Sequence, residues 1–155
     1  MLSDAQKVTL KADILANADT LACYEIGNLD CLEKLYNALA SPAFVVWKCA
    51  LTSAEARAAI SGGDGLAQLD NLTAGKRDSL LWVFNDSTSP ANAAQRAAIE
   101  NLCGTQNLLK AAILAAQKRG ATRLEKLFAT GTGSDASPAT MGVEGQVGYQ
   151  EFIGL

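Results

Sequence analysis

Histidine is absent from the 155 residues. That absence removes the Ser–His and Cys–His pairs behind most nucleophilic catalysis and leaves only the rarer Ser–Lys and carboxylate schemes. Cysteine is present but unhelpful to metal chemistry. Cys23, Cys31, Cys49 and Cys103 are irregularly spaced with no CxxC pair, so a structural zinc site is not expected. Their expected state is the buried free thiol. A disulfide needs an oxidising route, and Met1-Leu2-Ser3-Asp4-Ala5-Gln6 has neither the charged nor the apolar region of a signal peptide. A cytosol-like compartment is the expectation. Long apolar runs are missing too: none approaches the roughly 18 residues a membrane span needs.

Positive charge is also short. Thirteen Lys and Arg against sixteen Asp and Glu give a net charge of −3, and the pI is near 4.9. A nucleic-acid-binding domain would show a basic face and a high pI. Aromatics make up only 6% of the chain, whereas apolar residues reach 49%, many of them alanine. Alanine is the strongest helix former and lets helices pack closely, so the composition predicts an all-α core in a chain long enough to bury one.

Along the chain, Ser3-Asp4-Ala5-Gln6 and Thr52-Ser53-Ala54-Glu55 have the form of capping boxes. The first predicts a helix to about Asn17 and the second a helix to about Ile60. Residues 18–27 read as a less regular connection. A helix from about Leu29 to Ala40 follows, stopped by Ser41-Pro42. Residues 43–51, with Phe44, Val45, Val46 and Trp47, are the one β-prone run and are expected to be extended. Ser61-Gly62-Gly63-Asp64-Gly65 and 85–90 read as a turn and a loop. Thr73 is placed to cap a helix from Ala74 to Phe84, with Leu80, Leu81 and Phe84 on one side and Trp82 nearby. Ser89-Pro90 predicts a helix start, with its end at Gly104. Thr105 then opens a last long helix to about Phe128 or Ala129, which Gly120 kinks or Thr122-Arg123-Leu124-Glu125 recaps. The expected fold class is mainly α: a compact bundle of five or six helices (1–130) with an extended, non-helical C-terminal arm (131–155).

No motif carries chemistry. Ala74-Gly75-Lys76 lacks the earlier glycine and the following Ser or Thr of a phosphate-binding loop; Asp70 and Arg77 stand there instead. Asn71-Leu72-Thr73 is a glycosylation sequon only in form. Glu25, Asp30 and Glu33 cluster, but Asp30 and Glu33 fall three apart on a predicted helix and read as its solvated face. No catalytic, cofactor-binding or metal-binding residue is expected.

Two features point instead to partners. Lys118, Arg119, Arg123 and Lys126 form the densest basic cluster. The last three, spaced by four and three, would share a helix face open to an acidic partner. The second feature is the tail. Thr130 to Thr140 is small and polar, after which Met141, Val143, Val147, Tyr149, Phe152 and Ile153 are too apolar for a solvated terminus. As an extended segment it would carry Val143, Val147 and Tyr149 on one face, ready to add to a partner sheet or fill an intersubunit groove.

The run Ala129-Thr130-Gly131-Thr132-Gly133, continued by Ala136-Ser137-Pro138-Ala139-Thr140-Met141-Gly142, Glu144-Gly145 and Tyr149-Gln150, resembles the C-terminal signature of small tailed-bacteriophage virion proteins. Ala121 to Phe128 is similar to that family's final helix. Ala40-Ser41-Pro42-Ala43-Phe44 with Val46-Trp47-Lys48, and Asp70 to Lys76, resemble it elsewhere. The chain departs from the pattern at Arg77 to Trp82, where the family has a tryptophan-rich helix, and at Gly120. Such small helical virion proteins with a C-terminal arm are similar to head-to-tail adaptors. The resemblance therefore implies a structural role in the virion neck, after assembly in the host cytoplasm. The protein would form a closed ring, commonly of about twelve copies. The partners it implies are the portal, tail or neck proteins, and DNA passing through the ring as a passive contact. It implies no cofactor and no membrane. A tail-completion or capsid-associated protein, or a small helical assembly chaperone, is the alternative.

Overall fold

The computed structural model of the chain describes residues 1–62, 65–85 and 88–155. The turn expected at 61–65 and the loop expected at 85–90 therefore lie partly outside the described residues. The chain is mainly helical and divides into two compact units: Met1–Val46 with Gly120–Leu155, and Trp47–Arg119. Among the described residues there are nine α-helices rather than five or six.

The first unit begins with α1 (Asp4–Ala16). Its capping box is complete: the Ser3 hydroxyl accepts from the Gln6 N–H and the Gln6 side chain accepts from the Ser3 N–H, a device that contributes about 1 kcal/mol. Residues 18–25, expected to be irregular, form α2 (Ala18–Glu25). Asn17 stands at its N-cap without a side-chain capping bond. Helix α3 (Leu29–Asn37) is capped by Asn28, which accepts from the Cys31 N–H at 3.0 Å. Helix α9 (Arg123–Phe128) starts at the predicted capping box, with Thr122 accepting from the Glu125 N–H. Helix α1 packs on α2, α2 on α3, and α3 on α9 and on a 3₁₀ turn, Tyr149–Phe152. Their shared core holds Leu10, Ile14, Leu32, Tyr36, Leu124, Val147 and Phe152.

The free-thiol expectation is corrected at two of the four cysteines. The α2–α3 turn brings the Cα atoms of Cys23 and Cys31 to 5.8 Å, inside the range a disulfide spans, and the two sulfurs are bonded. Cys103 is a buried free thiol.

The second unit holds α4 (Ser53–Ser61), α5 (Gly65–Asp70), α6 (Ala74–Val83), α7 (Ala93–Cys103) and α8 (Asn107–Ala116). Helix α8 is the centre, packed by α4, α5 and α7, while α6 packs on α7. Leu51, Ile60, Leu80, Phe84, Ile99, Leu109 and Ile113 form the core. Helix α7 starts later than Ser89-Pro90 predicts. Asn92 is its N-cap, its carboxamide oxygen accepting from the Ala94 and Gln95 N–H groups.

Of residues 43–51, expected to be extended, Val45–Trp47 form strand β1 and Cys49 lies in a bend. The partner of β1 in a two-stranded sheet is β2 (Lys118–Gly120), which interrupts the long last helix that the sequence predicts. Helix α8 stops at Ala116, and the Thr122 cap restarts helix only at Arg123.

Candidate functional site

The single helix expected to carry Arg119, Arg123 and Lys126 is interrupted. Lys118 and Arg119 lie on β2 in the second unit, while Arg123 and Lys126 lie on α9 in the first. Helical spacing across 119–126 fails because a strand and a cap intervene. All four side chains are half-buried. Arg123 is held by two carboxylates, at 2.6 Å from Asp19 and 3.5 Å from Asp13, with its guanidinium over the Tyr36 ring. The hydrogen bond from Arg123 holds the Asp19 carboxyl below its ordinary pKa. Asp13 also accepts from the buried Tyr36 hydroxyl at 2.6 Å. Burial, with Asp13 adding to it, pushes the Tyr36 phenol well above its usual value. Lys126 sits over the Phe44 ring at 5.8 Å. Around Arg123 and Lys126 a groove of about 660 Å³ is floored by Leu35, Leu39 and Leu127 and rimmed by Asp13 and Asp19. Its walls carry both signs of charge, so it is no simple trap for an acidic partner.

The tail lies folded on the first unit. Residues 130–141 are pinned by backbone bonds: Thr130 and Thr140 exchange a pair, the Val45 N–H donates to the Gly133 carbonyl, and the Ala139 N–H donates to Val45. Met141 packs with Phe44 and Ala129 beside Val46, Ala121 and Ala139. Val143 is half-buried on the main core, and Val147 and Phe152 are inside it. Tyr149 and Ile153 remain 47% and 58% exposed. The expected single face of Val143, Val147 and Tyr149 is broken at Tyr149, where the backbone turns into the 3₁₀ segment. Glu125, 1% exposed, ties the tail to α9: one oxygen accepts from the Thr122 N–H at 2.9 Å and the other from the Gly145 N–H at 3.0 Å.

The second unit carries the surface that sequence reasoning missed. A groove of about 470 Å³ is lined by Ile60, Leu66, Leu69, Leu81, Trp82 and Phe84, with Arg57 at its edge. Trp82 is 77% exposed, and Leu66 and Leu81 are about half exposed. The signal was present in α6, whose apolar run from Leu80 to Phe84 continues round the helix. Leu80 and Phe84, four apart, take the buried line, so Leu81 and Trp82 must point elsewhere.

Elsewhere the charges build structure. Glu55 accepts from Lys48 at 2.9 Å and from the Thr52 N–H and hydroxyl. Lys48 first, then the capping bonds, lower its pKa to about 2. Arg96 stacks 4.2 Å over the Trp47 ring. Among the described residues, no group of three or more His, Cys, Asp or Glu side chains could hold a metal ion. No helix there is long and apolar enough to cross a membrane. The groove beside Trp82 leaves apolar area in water. No family model, curated protein or solved structure matches the chain.

Proposed function

We propose that the protein is a non-enzymatic structural component of a phage particle, a head-to-tail adaptor forming a ring in the neck below the portal. Its helical units make the ring, and residues 131–155 supply the arm that docks on the portal or on a neighbouring subunit. DNA passing through the ring is a passive contact. The observation that carries partner binding is Trp82, left 77% exposed beside Leu66 and Leu81 on an apolar groove. Tryptophan is among the residues enriched at the anchors of interfaces. The likeness of 129–142 and 121–128 to phage virion proteins supplies the kind of assembly. A tail-completion or capsid-associated protein is the nearest alternative, and an assembly chaperone that leaves before the particle is finished is the other.

The test uses particles carrying Trp82→Glu in the full-length chain. Because the side chain is mostly in water, the purified variant should keep the wild-type circular dichroism. Its copy number in purified particles should fall at least about tenfold, consistent with an anchor worth more than 1.4 kcal/mol. Unchanged incorporation would remove the groove from the interface. Wild-type chain missing from particles by mass spectrometry would point to the chaperone, and an image placing it away from the neck would rule out the adaptor.

A further inference from the structure

Residues 147–155 are bound to the first unit much as a peptide ligand is bound. Asn37 reads the backbone of Val147 with both ends of its carboxamide, donating to the carbonyl and accepting from the N–H, each at 2.8 Å. Glu33 accepts from the Tyr149 N–H at 3.0 Å, and the Tyr24 hydroxyl donates to the Leu155 carbonyl at 2.6 Å. On the α1 side, Glu151 accepts from the Leu2 N–H at 3.1 Å and lies 3.9 Å from the Lys7 ammonium. Between these contacts Phe152 enters the core, its ring centroid 5.8 Å from that of Tyr36. The segment's own backbone bonds run inside it, from Glu151 to Gly148, Ile153 to Gln150 and Leu155 to Phe152. Just upstream, Gly142, Glu144, Gly145 and Gln146 are exposed at the surface, with the Gly142 N–H donating to the Phe128 carbonyl and the Gly145 N–H to Glu125.

A segment held this way can be traded. Side chains that read backbone, and pockets that take Val147 and Phe152, would meet identical partners on the same segment of another copy. Exchange then releases the Gly142 and Gly145 bonds of the connecting residues and changes the closure entropy, which depends only weakly on length, while the contacts of 147–155 themselves stay intact. The socket left behind would expose parts of Leu2, Leu10 and Tyr36, so it favours being filled, and the segment that fits it best is its own sequence. We propose that residues 147–155 of one copy occupy the Tyr24–Glu33–Asn37 socket of a neighbouring copy when the protein assembles, replacing that copy's own segment. The proposal rests on the reading of the chain as a self-assembling structural protein, and it names the neighbour and the site. Passed from each copy to the next, the exchange is a heterologous contact that a closed ring can satisfy throughout. Each subunit would be gripped twice, once by its socket and once by its arm, which strengthens the ring by multivalency.

Lys7 and Glu151 supply the readout. Equal amounts of unlabelled and fully ¹⁵N-labelled full-length chain are mixed at several hundred micromolar and equilibrated, and oligomer is separated from monomer. A carbodiimide then couples the Lys7 amine to the Glu151 carboxylate without a spacer, and the joined peptides are weighed. Exchange predicts that about half of the Lys7–Glu151 products in the oligomer carry one labelled and one unlabelled peptide, with almost none in the monomer. Products of a single isotope in the oligomer overturn the exchange, as does a chain that stays monomeric up to millimolar concentration. Neither result touches the place of the protein in the particle, which imaging decides separately.

Discussion

Glu125 shows how one buried charge can serve two distant parts of the chain. Its carboxylate closes the α9 cap at Thr122 and accepts from the Gly145 N–H twenty positions later. The cap was legible in Thr122-Arg123-Leu124-Glu125, because the spacing of a capping box is local. The Gly145 bond was not, because nothing in the sequence around 145 names its acceptor. Removing the carboxylate leaves both amide groups of these part-buried bonds without it, and a donor that water does not reach costs about 1–3 kcal/mol. Glu125→Ala should therefore destabilise the protein by about 2–3 kcal/mol, seen as a lower urea midpoint at unchanged m-value. A loss below about 1 kcal/mol would mean that water replaces the carboxylate, and that it does not fix the tail. Arg123 teaches the reverse lesson. Its charge suggested a partner outside the chain, yet Asp13, Asp19 and the Tyr36 ring engage it within the first unit. Sequence counts charges but does not reveal which are already matched.

At the scale of elements, sequence reading succeeded where termination is local. The helix starts at Ser3, Thr52 and Thr122 were each marked by a hydroxyl and a Glu or Gln three residues on, and all three boxes are formed. Gly104 ends α7 at φ +57°, as its position suggested. The reading failed where a long-range pairing outweighs propensity. Lys118 and Arg119 favour helix, but they pair with β1, and α8 ends before them. The small, polar run 130–140 likewise read as part of an extended arm, whereas it is pinned to Val45 and to itself. Gly133 is the tightest point of that run. Its φ is +66°, and a Cβ there would fall 2.1 Å from the Phe44 ring. Gly133→Ala combines a disfavoured backbone with a steric clash, and should cost about 3 kcal/mol. The thermal midpoint of the purified variant measures this. A shift of only a degree or two would mean that Phe44 swings away freely and that the loop is as loose as its composition suggests.

At the scale of the whole molecule, the two compact units are not the helical domain and separate arm that the sequence suggested, since 120–155 belongs with 1–46. The apolar residues of the tail were read as a surface for a partner, whereas Val147 and Phe152 are buried in the first unit's own core. The sequence did not show this, because Asn37, which reads Val147, lies 110 positions away. The location matters for any truncation. Were 131–155 an arm free of its own domain, deleting it would leave a stable helical fold. Deleting only 147–155 already takes Val147 and Phe152 out of a core that includes Leu10, Ile14, Leu32 and Tyr36. Burying side chains of that size contributes about 1.5–3 kcal/mol each, and the lost backbone bonds add to it. The total approaches the roughly 5–15 kcal/mol that holds a typical domain together. The truncated chain should therefore lose amide hydrogen-exchange protection at Leu10, Ile14 and Leu32. Adding a synthetic peptide of residues 147–155 should restore it in proportion to occupancy. Protection at those three amides that survives truncation without the peptide would show that the first unit is stable without its tail.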